Sequence, residues 1–140
     1  MNEMEMIFRE SHSVAVVGMS SNPTRPSYRI SLYLKEVGYR IIPVNPNERE
    51  VHGLKAYSSL EEIPEKIDLV VIFRRSEFVP PIIESAIRVG AKAVWMVEGV
   101  SHPQAAQKAR EAGLKVVMDR CIFVEHHRWA AEQKNTSIVS

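Results

Sequence analysis

Ser13-Val14-Ala15-Val16-Val17-Gly18-Met19-Ser20-Ser21-Asn22-Pro23-Thr24-Arg25-Pro26-Ser27 reads as an apolar run, a glycine, a polar loop and a helix start. The short run Val14 to Val17 suits a strand buried on both faces. Gly18 ends it. Pro26 and Ser27 open a helix, where a missing proline N–H costs little in the first turn. A strand, a glycine and a loop into a helix N-terminus make an anion site: backbone N–H groups approach a phosphate, and the helix dipole favours its charge.

Working outward, the same punctuation recurs. Ile30, Tyr33, Leu34 and Val37 fall at helical spacing, so a helix is predicted from Ser27 to Val37. Gly38 follows it as a cap, and a strand runs from Tyr39 to Val44. Asp68 to Phe73, Ala93 to Val97 and Lys115 to Met118 are further strands. The helices between them, about Val79 to Val89 and Pro103 to Ala112, are closed by Gly90 and Gly113. A short helix over residues 3 to 11, with Met6 and Ile7 facing inward, precedes the first strand. A last helix starts after Cys121 and frays from Glu132 onward. The polar loop from Asn47 reaches a short strand around Lys55–Tyr57, and Ser59-Leu60-Glu61-Glu62 has capping-box spacing for a short helix that Pro64 ends. This alternation predicts an α/β fold: a doubly wound, mostly parallel sheet of five or six strands with helices on both faces. One domain is expected over residues 1–130, with a polar tail at 131–140. Ligands of such sheets bind at the edge where the strands end, at the point where strand order reverses.

Composition narrows the function classes. The 140 residues carry 18 Lys and Arg against 17 Asp and Glu, a net charge of +1, so nothing calls for a nucleic-acid partner. No apolar run approaches the roughly 18 residues of a membrane span. The N-terminus lacks a signal peptide's basic start and apolar middle, and a single cysteine fits a reducing compartment. A cytoplasmic protein is the expectation. His126 and His127 are adjacent and the other histidines show no ligand spacing, so no metal site is expected.

NAD is the obvious ligand for such a loop, and the sequence argues against it. The dinucleotide fingerprint needs three glycines and an acid at the end of the second strand. Here Gly18 stands alone, and Val44-Asn45-Pro46 occupies the acid's place. No Gly-Lys-Ser/Thr occurs, which removes the Walker loop. The polar residues gathered on the edge are Ser20, Ser21, Arg25, Asn45, Arg74, Arg75, Glu98 and Cys121.

Four separated stretches carry a family resemblance: Val16-Val17-Gly18-Met19-Ser20 with Arg25-Pro26-Ser27-Tyr28, Ile42-Pro43-Val44-Asn45-Pro46, Phe73-Arg74-Arg75-Ser76-Glu77-Phe78-Val79-Pro80-Pro81, and Val117-Met118-Asp119-Arg120-Cys121. In this order they resemble the small single-domain CoA-binding proteins of Rossmann type. Those proteins are similar to the N-terminal domain of the succinyl-CoA synthetase α subunit and of ADP-forming acyl-CoA synthetases. The resemblance runs from about Ile7 to Arg128 and implies coenzyme A, or an acyl-CoA, as the ligand. It places Ser20, Ser21 and Asn22 on the CoA loop, and Phe73 with Val79-Pro80-Pro81 near the adenine or ribose. Met96-Val97-Glu98 then borders the CoA. Where the synthetase presents a lysine after its second strand this chain has none, and Arg49 is the candidate substitute. The expected binding set is Gly18, Met19, Ser20, Ser21, Asn22, Arg25, Ser27, Asn45, Pro46, Phe73, Arg74, Arg75, Val97 and Glu98. The three arginines would make charge-assisted contacts to CoA phosphates.

Several residues have plainer explanations. Gly18 also suits a tight turn, Arg74 and Arg75 also suit a solvated pair offsetting Glu77, and Cys121 suits a small residue packed near a helix start. No catalytic residue is assigned. The rivals to a binding module are a CoA-dependent acyl- or thiol-transfer enzyme built on Cys121, a CoA-delivering subunit of an acyl-CoA synthetase, and an NAD-dependent oxidoreductase. Assembly with a second copy is a further expectation.

Overall fold

The computed structural model describes residues 2–139, with side chains through Asn135. In chain order the elements are α1 (Glu3–Glu10), β1 (Ser13–Val17), α2 (Pro26–Glu36), β2 (Arg40–Val44), β3 (Glu50–Val51), β4 (Leu54–Lys55), β5 (Leu69–Ile72), α3 (Val79–Arg88), β6 (Ala93–Met96), α4 (Pro103–Glu111), β7 (Lys115–Val117) and α5 (Ile122–Val139). Single 3₁₀ turns at Leu60–Glu62 and Ser76–Phe78 complete them. Five strands form one sheet in the order β2-β1-β5-β6-β7, and each neighbouring pair is parallel. This settles the strand number at five. β3 and β4 make a separate antiparallel hairpin.

The sheet is apolar because both of its faces are covered. Every residue of β1, β5 and β6 is buried, and each fully buried Val or Ile side chain stabilises the fold by roughly 1.5–3 kcal/mol. α3 packs on α4, while α5 packs on both α1 and α2, which gives the two helical layers. Trp95 is fully buried at the centre, its ring centroid 5.3 Å from that of Phe8, and its Nε1 donates to the Arg120 carbonyl at 2.8 Å. Gly90 shows how α2, α3 and α4 are stopped. It adopts φ 76°, its N–H reaches the Ile87 carbonyl, and the Ala91 N–H reaches Ala86, closing α3 before β6.

Three expectations shift. The inward face of α1 is Ile7 and Phe8 with Met4 packed beside them, not Met6, because the helix meets β7 and α5 on that side. The short strand expected around Lys55–Tyr57 is centred earlier, and Tyr57 itself makes an isolated parallel bridge to Val44. α5 continues without a break at residue 130, so the polar tail begins inside this helix, and Ser140 lies outside the described residues.

The strand order fixes where a site can form. The chain leaves β1 toward β2 and then crosses back to β5 on β1's other side. The helices that follow β1 and β5, α2 and α3, therefore lie on opposite faces of the sheet, and the carboxyl edge at this point is where a ligand crevice is expected.

Candidate functional site

The loop after β1 is built from short side-chain-to-backbone hydrogen bonds. Ser20 N–H donates to Ser27 Oγ at 3.0 Å, Asn22 N–H to Ser20 Oγ at 3.0 Å, and Thr24 N–H to Asn22 Oδ1 at 3.0 Å. Hydroxyl and amide side chains hold the turn shape here. Ser21 N–H is bound differently: it donates to Glu48 Oε2 at 2.6 Å, across from the loop after β2. Asn45 ties these two loops. Its Nδ2 donates to the Met19 carbonyl at 3.0 Å, and its Oδ1 accepts from Asn47 N–H at 2.9 Å.

Gly18 is required sterically. It sits at φ 87°, and a Cβ there would lie 2.7 Å from the Phe73 carbonyl oxygen and 3.1 Å from Arg74 Cδ. The loops after β1 and β5 approach too closely for any side chain between them, so the turn reading of Gly18 is sufficient by itself. Arg74 then extends over the Phe78 ring, its Cζ 4.7 Å from the centroid. Arg75 projects outward with its side chain 84% exposed and lies 3.7 Å from Glu77.

A cavity of about 210 Å³ opens between the loops after β2 and β5, lined by Val44, Pro46, Leu60, Arg74, Ile82 and Ser85 among others. It is apolar at its base, with one guanidinium at its wall. Its volume is below the roughly 300–1,000 Å³ of sites that enclose a whole drug-sized molecule, so it suits one flat part of a larger ligand lying along the edge. A larger cavity of about 740 Å³, walled by Phe8, Tyr33, Val37, Tyr39 and Trp129, lies at the opposite, amino edge.

The structure brings part of the expected set together. Pro46 and Arg74 line the 210 Å³ cavity. Ser20, Ser21, Asn22 and Asn45 frame the adjoining loops. Arg25 is exposed as the residue preceding α2, and Glu98 is exposed after β6. Three of the set turn inward. Met19 is 0% exposed and Val97 is 8% exposed, both within the core, and Ser27 is buried with its hydroxyl holding the Ser20 amide. Only their backbones border the edge. Phe73 is half-buried against the core and does not line the cavity. Ser58, Ser59, Leu60, Ile82 and Ser85 line it without having been expected. The Tyr57–Val44 bridge delivers the first three, with Asn45 N–H donating to the Tyr57 carbonyl at 2.8 Å. A short strand was legible there, but its pairing was not. Cys121 is half-buried beside the turn that Asp119 ties to Gly99 N–H at 2.8 Å.

Residues 12–127 match the family described as a CoA binding domain. The chain belongs to that family. It is 43% identical over 124 residues to the uncharacterized protein YneT of Bacillus subtilis, covering 89% of this chain and 92% of the relative. It is 30% identical over 128 residues to the acetate–CoA ligase (ADP-forming) II subunit alpha of Pyrococcus furiosus, covering 84% of this chain but only 28% of that subunit. Among solved structures, a hypothetical protein from Pyrococcus horikoshii superposes with a TM-score of 0.87 at 38% identity, covering 91% of this chain and 92% of the other. The relatives thus include a chain of similar length and a larger ligase subunit of which this chain spans 28%. Among the described residues, no helix is long and apolar enough to cross a membrane.

Proposed function

We propose that this chain binds coenzyme A, or an acyl-CoA, non-covalently at the carboxyl edge of its sheet. One observation carries the reading: at the carboxyl edge the loops after β2 and β5 enclose a partly apolar cavity with Arg74 at its wall, and the loop after β1 holds an N–H, that of Ser21, already bound to an anion of the chain. This donor set suits the adenosine end of CoA. A flat base would enter the cavity of Val44, Pro46 and Ile82, and Arg74 with the loop after β1 would meet the phosphates. CoA carries a pyrophosphate and a 3′-phosphate, which suits a guanidinium at the cavity wall and the lack of the acid that NAD-binding folds need after the second strand. Asn45 stands in the acid's place, and its side chain is held by Met19 and Asn47.

The test is calorimetric titration of the purified protein with CoA, dephospho-CoA and NAD. CoA is expected to bind most tightly, with dephospho-CoA weaker. No saturable CoA binding up to millimolar concentration would overturn the reading, and binding of NAD alone would replace it with a dinucleotide site. The match to a segment of a ligase α subunit favours a second reading, in which the chain presents CoA to a separate synthetase subunit. Co-purification with such a subunit from native cells would support that role. The thiol-transfer reading rests on Cys121 and predicts that Cys121→Ser abolishes turnover in an acyl-transfer assay.

A further inference from the structure

The first three amides that follow Met19 are not equivalent. Ser20 and Asn22 donate to hydroxyls of the loop and its helix, Ser27 Oγ and Ser20 Oγ, whereas Ser21 donates to a carboxylate at 2.6 Å. That carboxylate is brought there by construction. Asn47 N–H donates to Asn45 Oδ1 and Glu48 N–H to the Asn45 carbonyl at 3.2 Å, which curls the loop after β2. Asn45 Nδ2 fastens the same loop to Met19 at 3.0 Å. The curl aims Glu48 at Ser21. Glu48 has no lysine or arginine within 4.0 Å among the described residues, so its charge is met by a backbone N–H of the anion loop rather than by a cation.

We propose that Glu48 is a built-in competitor for the ligand's phosphate, a residue that sets affinity by holding the Ser21 amide until an anion displaces it. This rests on the reading of the carboxyl edge as a phosphate site. A phosphate oxygen and the Glu48 carboxylate would claim the same N–H, and two anions on one donor repel. Only the fraction of molecules with Glu48 swung away is ready to bind, and the apparent affinity falls by that fraction. The loop sequence Asn45-Pro46-Asn47-Glu48-Arg49 thereby acquires a role opposite to that of a phosphate-binding lysine.

The experiment compares the wild-type chain with Glu48→Gln and Glu48→Ala. Each is titrated with CoA and, separately, with inorganic pyrophosphate, while the Ser21 amide is followed by 15N–1H NMR. Both substitutions are at a half-buried loop position and should leave the fold intact. In the ligand-free state the Ser21 proton resonance should move upfield in both variants as the charge-assisted bond is lost. Both variants should then bind roughly three- to tenfold more tightly. Unchanged or weaker binding in the variants would overturn the proposal, since Glu48 would then be passive or would hold the loop in its binding shape. If CoA fails to bind but pyrophosphate shows the tightening, the CoA reading falls and the role of Glu48 stands. If neither ligand moves Ser21 in any of the three chains, the proposal for Glu48 falls with the phosphate site.

Discussion

The two edges of the sheet handle charge in opposite ways. At the amino edge, Asp68 accepts from the N–H groups of His12 at 2.8 Å and Ser13 at 3.1 Å and lies 3.6 Å from Lys92. Ser13 Oγ donates to the Lys66 carbonyl, Tyr39 Oη to the Phe8 carbonyl, and Tyr33 Oη shares a 2.7 Å hydrogen bond with His126 Nδ1. At the carboxyl edge, Arg74 lies over a ring, Arg75 reaches solvent, and Glu48 sits on a loop amide. The amino edge pairs its polar groups with other groups of the chain, several of them part-buried, and so secures the fold. The carboxyl edge keeps partners that a ligand can replace. Substitutions at the first should change stability, and substitutions at the second should change binding.

The sharpest exception is Gly18, a carboxyl-edge residue whose role is structural. Gly18→Ala puts an L side chain at φ 87° and drives its Cβ against the Phe73 carbonyl. The left-handed backbone costs about 1–2 kcal/mol and the enforced loop shift adds a comparable amount, so a loss of about 2–4 kcal/mol is expected from urea denaturation. A loss well under about 1 kcal/mol would mean that the loops after β1 and β5 separate easily, and the contrast between the edges would then be weaker than the packing implies.

Next comes Asp68→Ala, with an expected loss of about 1–2 kcal/mol through the two stranded N–H groups. Its pH dependence follows from the carboxyl's environment. Burial, the largest single influence, pushes the carboxyl up, but the His12 and Ser13 amides and Lys92 together outweigh it and hold the group below its ordinary 3.8. The unfolded chain therefore binds the proton first on acidification, and the stability from Asp68, present above pH about 4, is lost as pH falls through the folded value. His126 adds an earlier step. Burial, with His127 nearby, lowers its pKa from 6.5, so the unfolded chain again protonates first and stability begins to fall below that value. Melting temperatures of the wild type should decline in two stages, and Asp68→Ala should shrink the later one, to which Glu65 beside Arg40 and Glu84 beside Lys108 also contribute. At the alkaline end, burial, reinforced by Tyr33, pushes Tyr39 up to about 12, so stability should be lost once the unfolded tyrosine ionises above its ordinary 10.0.

The fold was legible because its signals are local and repeated. Val14–Val17, Leu69–Phe73 and Ala93–Val97 are apolar runs that suit a sheet covered on both faces, and a glycine follows each of α2, α3 and α4 before the next strand. The carboxyl edge was legible as a place, since parallel strands put their following loops together. Side-chain direction there was not. Met19 and Ser27 stand among polar loop residues yet point into the core, because the chain must turn under itself to enter α2. Glu48 reaches Ser21 only through the curl that Asn45 imposes, a contact between residues 27 positions apart that leaves no periodic trace. The cavity residues Ser58–Leu60 depend on a single bridge at Tyr57.

Arg74 and Arg75 give the finest test of the comparison, since the sequence treats them alike and the structure does not. Arg74 lines the cavity and is held in place by Phe78, so its guanidinium is oriented before any ligand arrives. Arg75 is free of the cavity, and its Glu77 contact at 3.7 Å is an exposed ion pair of little worth. Arg74→Ala should weaken CoA binding about five- to tenfold by calorimetry, with little change in melting temperature, as expected for one charge-assisted phosphate contact. Arg75→Ala should change affinity by less than about twofold. Equal losses in both variants would mean that the phosphates sense the net charge of the loop rather than a placed guanidinium. A larger loss from Arg75 would mean that the ligand crosses the edge on the Glu77 side, with its base outside the cavity.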